Sequence, residues 1–71
     1  MEYFKEWRAA DHAAVAAEKR IYAASLLLID GRGPGPSEEE VAEAHRLRAI
    51  ANDLFHVAMH EMGEISNALR Q

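Results

Sequence analysis

One short segment near the middle of the chain breaks an otherwise continuous helical pattern. Residues 31–37, Gly-Arg-Gly-Pro-Gly-Pro-Ser, hold both prolines and three of the four glycines of this 71-residue sequence. Proline lacks the backbone N–H that a helix needs and glycine disfavours helix, so no helix continues through this segment. The residues on either side are rich in Ala, Leu, Glu, Arg and Met, which are good helix formers. The sequence therefore predicts a single helix–turn–helix domain over residues 1–71.

The edges of this turn carry helix stop and start signals. Gly31 stands where a helix commonly ends in a left-handed residue. Ser37 is followed three residues later by Glu40, which is the spacing of a capping box at a helix N-terminus. We therefore predict helix 1 near residues 2–30 and helix 2 near residues 38–70.

Small and apolar residues recur in alternating steps of three and four along both predicted helices, which is the spacing of a helix–helix seam. Short turns favour antiparallel neighbours, so we expect the two seams to face each other. The seam of helix 1 consists of Tyr3, Trp7, Ala10, Ala14, Ala17, Ile21, Ala24 and Leu28, and that of helix 2 of Ala44, Leu47, Ala51, Leu54, Ala58, Glu61, Ile65 and Ala68.

A second apolar strip runs beside each seam, and two helices alone cannot cover it because domains normally need two packed layers. We therefore expect an all-α antiparallel two-helix hairpin that self-associates into a four-helix bundle. A two-fold dimer is the simplest form, and a tetramer is left open. The expected interface consists of Tyr3, Phe4, Trp7, Val15, Tyr22, Ile29, Phe55, Met59, Met62 and Leu69.

Composition narrows the choice of partners. Eight Lys and Arg residues stand against twelve Asp and Glu, a net charge of −4, which argues against nucleic acid and anionic membranes as partners. The chain has no Cys, which excludes a disulfide, a cysteine zinc site and a thiol nucleophile. The opening residues do not form a signal-peptide pattern, so the cytoplasm is the expected compartment.

The histidines allow one metal hypothesis. His56 and His60 are four residues apart and project from one side of helix 2, with Asp53 on that side. In an antiparallel hairpin His12 lies level with His56. These four side chains could hold zinc, nickel or copper, so a divalent metal is the one cofactor considered. The alternative is a set of solvated surface histidines, because all of them lie opposite the apolar seams.

Two carboxylates need partners if the seams are buried. Glu61 falls within the seam of helix 2, and Glu18 lies at the seam edge of helix 1. A buried carboxylate without a partner is costly. Glu18 lies level with Arg48, so we expect an ion pair across the helices. Glu61 lies level with Arg8 and with the Trp7 indole N–H, either of which is an expected partner.

The stretch from His60 to Leu69, His-Glu-Met-Gly-Glu-Ile-Ser-Asn-Ala-Leu, resembles the magnesium-binding helix of the all-α nucleotide pyrophosphohydrolases. In that family the paired acids bind magnesium together with a second acidic motif on a later helix. The resemblance implies a carboxylate site at Glu61 and Glu64. This sequence has no such later helix, so another subunit would supply the remaining oxygens, with Glu18 converging on the site.

The layout as a whole, a helical hairpin that pairs into a four-helix bundle, resembles the Rop-type RNA-binding hairpins. The resemblance covers most of the chain and is architectural. It implies RNA binding as an alternative function. Against that alternative stand the acidic balance and the interleaving of Arg20, Arg46 and Arg48 with acids.

Nucleophilic catalysis has little support, since no Ser–His–acid set is apparent. We assign no catalytic and no cofactor-binding residue from the sequence. By elimination, the expected function is that of a small non-catalytic interaction or regulatory module that acts through a protein partner.

Overall fold

The computed structural model describes the backbone of residues 2–70 and the side chains of residues 4–64. It contains helix α1, Glu2–Ile29, and helix α2, Glu38–Arg70, which pack against each other along an elongated hairpin of 60 × 18 × 13 Å. No strand occurs over the described backbone. The prediction of an all-α helix–turn–helix chain is confirmed. Helix α1 ends one residue before the predicted bound.

The end of α1 is fixed by backbone hydrogen bonds around Gly31. The Gly31 N–H donates to the Leu28 carbonyl at 3.0 Å, and the Arg32 N–H donates to the Leu27 carbonyl at 2.8 Å. This pair of bonds is the Schellman motif, which needs a left-handed residue after the helix. Gly31 has a φ of 73°, as the sequence predicted for this position. The chain therefore leaves α1 with its last carbonyl groups satisfied.

The start of α2 is fixed by a reciprocal pair of hydrogen bonds. The Glu40 N–H donates to the Ser37 hydroxyl, and the Ser37 N–H donates to the Glu40 carboxylate, each at 3.1 Å. The capping box predicted from the sequence is confirmed. The bond from the Ser37 N–H also lowers the pKa of Glu40, because it favours the ionised carboxylate.

Alanine forms the centre of the contact between the helices. Among the described residues the buried hydrophobic side chains are all alanines, namely Ala14, Ala17, Ala44, Ala51 and Ala58. The three on α2 repeat every seven residues, so they follow one line along the helix. The larger seam members Trp7, Ile21, Leu47 and Leu54 are only half-buried at the edges of this line.

The seam ends before the turn. Leu28, which the sequence placed in the seam, is half exposed and lies against Gly35. A Cβ on Gly35 would come within 2.9 Å of the Leu28 side chain, and Gly35 has a φ of 84°. The turn therefore needs glycine here both for its backbone conformation and for the close approach of Leu28.

The alanine seam makes a testable prediction about packing. Ala51 is 0% exposed, so Ala51→Leu adds three carbon atoms where there is no space and forces the helices apart. Overpacking of this kind typically costs about 1–3 kcal/mol. We expect a lower midpoint in urea unfolding followed by circular dichroism. Ala49→Leu, at an exposed position of the same helix, is the matched control, and equal stability of the two variants would contradict the seam.

Candidate functional site

A charged cluster joins the two helices near the middle of the hairpin. The Arg48 guanidinium on α2 donates from Nε and Nη2 to the two carboxylate oxygens of Glu18, at 3.0 and 2.7 Å. Its third nitrogen, Nη1, donates to the Asp11 carboxylate at 2.9 Å. The ion pair expected between Glu18 and Arg48 is confirmed. We call these three side chains the Arg48 cluster.

Asp11 is the member of the Arg48 cluster that sequence reasoning missed. It lies seven residues before Glu18, which is two helical turns and the same side of α1. That spacing was the available signal. The two carboxylates hold the guanidinium from both ends, so its position is fixed more firmly than a single partner would allow.

The electrostatics of the Arg48 cluster follow from these hydrogen bonds. The bonds donated by Arg48 lower the pKa of Glu18, because they favour its ionised form. The same bonds raise the pKa of Arg48 above its ordinary value. The three side chains remain 32% to 44% exposed, so water screens the attraction between them. The cluster therefore orients the helices more than it stabilises them.

Large apolar side chains share the side of the hairpin that carries the Arg48 cluster. Residues four or seven positions apart lie on one side of a helix. By this spacing, three exposed apolar residues of α1 lie on the same side of the helix as Glu18. Three exposed apolar residues of α2 lie on the same side as Arg48. We call this surface the Arg48 face. Its exposed apolar residues are Tyr22, Leu26, Ile29, Phe55, Met59 and Met62.

An aromatic group marks the open end of the hairpin, away from the turn. The Trp7 ring lies 5.5 Å from the Phe55 ring across the helices and 6.2 Å from the Phe4 ring on its own helix, measured between centroids. Aromatic rings at these distances attract each other beyond the area they bury. The group therefore joins α1 to α2 at this end, and Phe55 still has part of its ring exposed.

Five residues of the predicted interface are exposed in the single hairpin: Tyr22, Ile29, Phe55, Met59 and Met62. Three more, Phe4, Trp7 and Val15, are half-buried. Tyr3 and Leu69 lie outside the described side chains. The structure thus leaves most of the predicted residues accessible to another molecule, and their role in an interface stays a prediction.

A smaller apolar patch on the opposite side of α2 was not foreseen. Ile50 and Val57 are seven residues apart and both are exposed. Ile50 and Met59 are separated by nine residues, roughly two and a half helical turns, which places them on opposite sides of α2.

The four residues of the metal hypothesis are exposed and point away from the helix contact. Each of His12, Asp53, His56 and His60 lies two residues from a buried alanine of the seam. Two residues turn a helix by roughly 200°, so these side chains occupy the outer surfaces. Among the described residues no three His, Asp or Glu side chains form a group that could hold a metal ion.

In the single hairpin Glu18 lies far from the other two carboxylates of the pyrophosphohydrolase-like hypothesis. Glu18 belongs to the Arg48 cluster, whereas Glu64 lies 3.0 Å from the His60 Nε2. Glu61 follows Arg48 by thirteen residues, which is roughly 20 Å along α2. Glu61 is half-buried, and within the described residues it forms neither of its expected bonds, to Arg8 or to the Trp7 indole. One hairpin therefore does not bring Glu18 to Glu61 and Glu64.

Comparisons with protein-family models, with curated proteins and with solved structures give no significant match for this chain. Over the described residues neither helix has a stretch both long and apolar enough to cross a membrane.

The lowered pKa of Glu18 gives a prediction about pH. A carboxyl group whose pKa is lower in the folded state stabilises that state above its unfolded-state pKa of about 4.3. This contribution is lost as the pH falls through the folded-state pKa. We expect Glu18→Gln to lower the melting temperature at pH 7, and the difference from the unmodified protein to shrink towards pH 3.

Melting followed by circular dichroism at pH 7, 5, 4 and 3 would measure this difference. Glu6→Gln is the control, because it removes a carboxylate from the same helix outside the Arg48 cluster. A deficit of Glu18→Gln that stays constant from pH 7 to pH 3 would contradict the ion pair.

Proposed function

We propose that this chain is a small, non-catalytic, cytoplasmic helical module that associates with itself and acts through a protein partner. The main support for the proposal is that the small apolar side chains of the hairpin are buried and many of its large ones are exposed. The buried hydrophobic side chains among the described residues are alanines, whereas ten large apolar side chains are exposed. Burial of large apolar side chains is the main source of folding free energy, so the isolated hairpin gains less of it than a domain that buries such side chains fully.

The exposed area supports this interpretation quantitatively. The hairpin exposes 5627 Å², whereas a compact monomer of 7.9 kDa would expose about 4,400 Å². Its radius of gyration is 17.0 Å, against about 11 Å for a compact domain of this length. The excess area indicates a chain shaped to be covered by another molecule.

A second copy can cover the excess. Two separate hairpins of 5627 Å² each would bury about 3,900 Å² if they merged into a body as compact as an ordinary protein of twice the mass. Stable protein interfaces need only about 1,200–2,000 Å². A pair of hairpins therefore has more than enough area to associate even if the fit leaves part of the surface open.

The end of α1 supports a further protein partner. The run Leu26–Ile29 is apolar throughout, and its side chains are between 44% and 79% exposed. Successive residues turn a helix by roughly 100°, so these four surround the helix end. A helix that is apolar on all sides is normally buried. A second hairpin packed on one face covers about half of this circumference, which leaves the rest for another protein.

The charges favour interaction with protein over catalysis or RNA binding. Arg48 is held by Asp11 and Glu18, and Arg46 by the Glu43 carboxylate at 2.9 Å. Arginines neutralised in this way have little attraction left for phosphate groups. The groove beside the Arg48 cluster, about 430 Å³ in volume, is open to solvent rather than enclosed as a substrate site would be.

Native mass spectrometry of the untagged protein tests the proposal directly. We expect a bare dimer or tetramer, because ten large apolar side chains of the single hairpin are exposed and extended apolar patches mark interaction surfaces. A bare monomer at micromolar concentration would contradict self-association. An adduct of one metal per chain that disappears in His56→Ala would instead favour the histidine hypothesis.

A further inference from the structure

We propose that a second copy of this chain packs on the Arg48 face, in an antiparallel arrangement that sets the turn end of each hairpin beside the open end of the other. The inference rests on the proposed self-association and names the surface and the orientation it uses.

The choice of face follows from where both helices offer apolar area. On the Arg48 face α1 contributes Tyr22 and Ile29, which are 67% and 79% exposed, and α2 contributes Met59 at 45%. On the opposite side α2 exposes Ile50 and Val57, and α1 exposes Leu27 near the turn. The Arg48 face has six large exposed apolar side chains against these three, with three on each helix. A four-helix bundle needs both helices of each hairpin in contact, and the Arg48 face meets that need.

The orientation follows from the distribution of charge. Residues 30–46, which include the turn, carry five carboxylates and two guanidinium groups, one of which belongs to Arg46 and is paired with Glu43. A parallel pair would place two such acidic ends side by side, within about one Debye length of 8–10 Å, where salt screens their repulsion only in part. An antiparallel pair separates them by nearly the 60 Å length of the hairpin. Charge repulsion therefore selects the antiparallel arrangement.

The antiparallel arrangement also sets the apolar side chains near the turn of one copy against those at the open end of the other. Tyr22 lies towards the turn on α1, whereas the half-buried Phe4 and Trp7 lie towards the open end of the same helix. A two-fold axis that crosses the hairpin between the levels of Asp11 and Glu18 packs α1 on the partner's α1 and sets Tyr22 level with the partner's Trp7. The apolar groups beside the turn of one copy then cover the aromatic group at the open end of the other, where ring–ring contacts add to the buried area.

The Arg48 cluster lies close to this axis and gives the pair its register. Each guanidinium enters the interface with its hydrogen bonds already made within its own chain. Pre-paired charges cost less to bury than unpaired ones. A shift of one hairpin along the other would press apolar side chains onto the charged groups, so the cluster disfavours other registers, as single polar residues do in coiled coils.

A pair of charge substitutions tests the face. Met59→Glu places a carboxylate on the Arg48 face, and Ile50→Glu places one on the opposite side of the same helix at nearly equal exposure, 45% and 40%. In native mass spectrometry we expect Met59→Glu to shift from the dimer mass to the monomer mass. Ile50→Glu is expected to remain a dimer. The reverse pattern would overturn the assignment of the face and leave self-association intact.

Cysteine cross-linking tests the orientation, since the chain has no cysteine of its own. Tyr22→Cys and Arg8→Cys chains, which carry exposed positions of α1 that are level across the proposed axis, are mixed, unfolded in urea, refolded together and treated with a short bismaleimide. We expect a covalent dimer from the mixture and its loss when either chain is treated alone. Ile50→Cys mixed with Tyr22→Cys is the matched control and should give no covalent dimer.

The outcomes separate the two proposals. Efficient cross-linking of Tyr22→Cys with itself would overturn the antiparallel orientation, because it requires two turn ends side by side. Cross-linking through Ile50→Cys would overturn the Arg48 face. A protein that is monomeric before any substitution would overturn the proposed function as well, and native mass spectrometry of the unmodified chain identifies that case first.

Discussion

The close approach of two helices along a line of alanines is the constraint on which the rest of this structure depends. A methyl group fills little space, so the helix axes can come near each other only if larger side chains stay out of the line between them. The larger apolar residues are therefore displaced to the edges of the seam and onto the outer faces. The alanine seam that holds the two helices together therefore leaves large apolar side chains on the surface of the hairpin.

The Arg48 cluster complements this seam. The methyl groups of the alanines are small and alike along the seam, so contacts between them specify the relative rotation of the two helices poorly. One guanidinium held by Glu18 and Asp11 specifies both rotation and register at a defined level of the hairpin. Trp7 and Phe55 add a second fixed point nearer the open end. The two contacts together determine which side chains share the Arg48 face.

Local signals made the fold predictable, whereas the surfaces needed the three-dimensional arrangement. Gly31, Ser37 and Glu40 act within a few residues of their own positions, so sequence spacing alone identified both helix ends. The pair of Glu18 and Arg48 followed from the antiparallel level of the two helices. Asp11 and the Ile50 patch were missed because they depend on the rotation of each helix about its axis, and the seam leaves several rotations open. The proposed function rests on exposed apolar area, which depends on how the two helices pack.

Because this apolar area is exposed in the single hairpin, the fraction of chains that are assembled depends on the concentration of the protein. Under the proposed function, apolar surface leaves water only when chains meet, so by mass action each tenfold rise in concentration favours assembly by about 1.4 kcal/mol. A chain without a companion presents side chains such as Ile29 to chaperones and proteases, which act on exposed apolar segments. Scarce chains would be cleared and abundant ones retained. Any protein that depends on this module would then encounter it only in the assembled form.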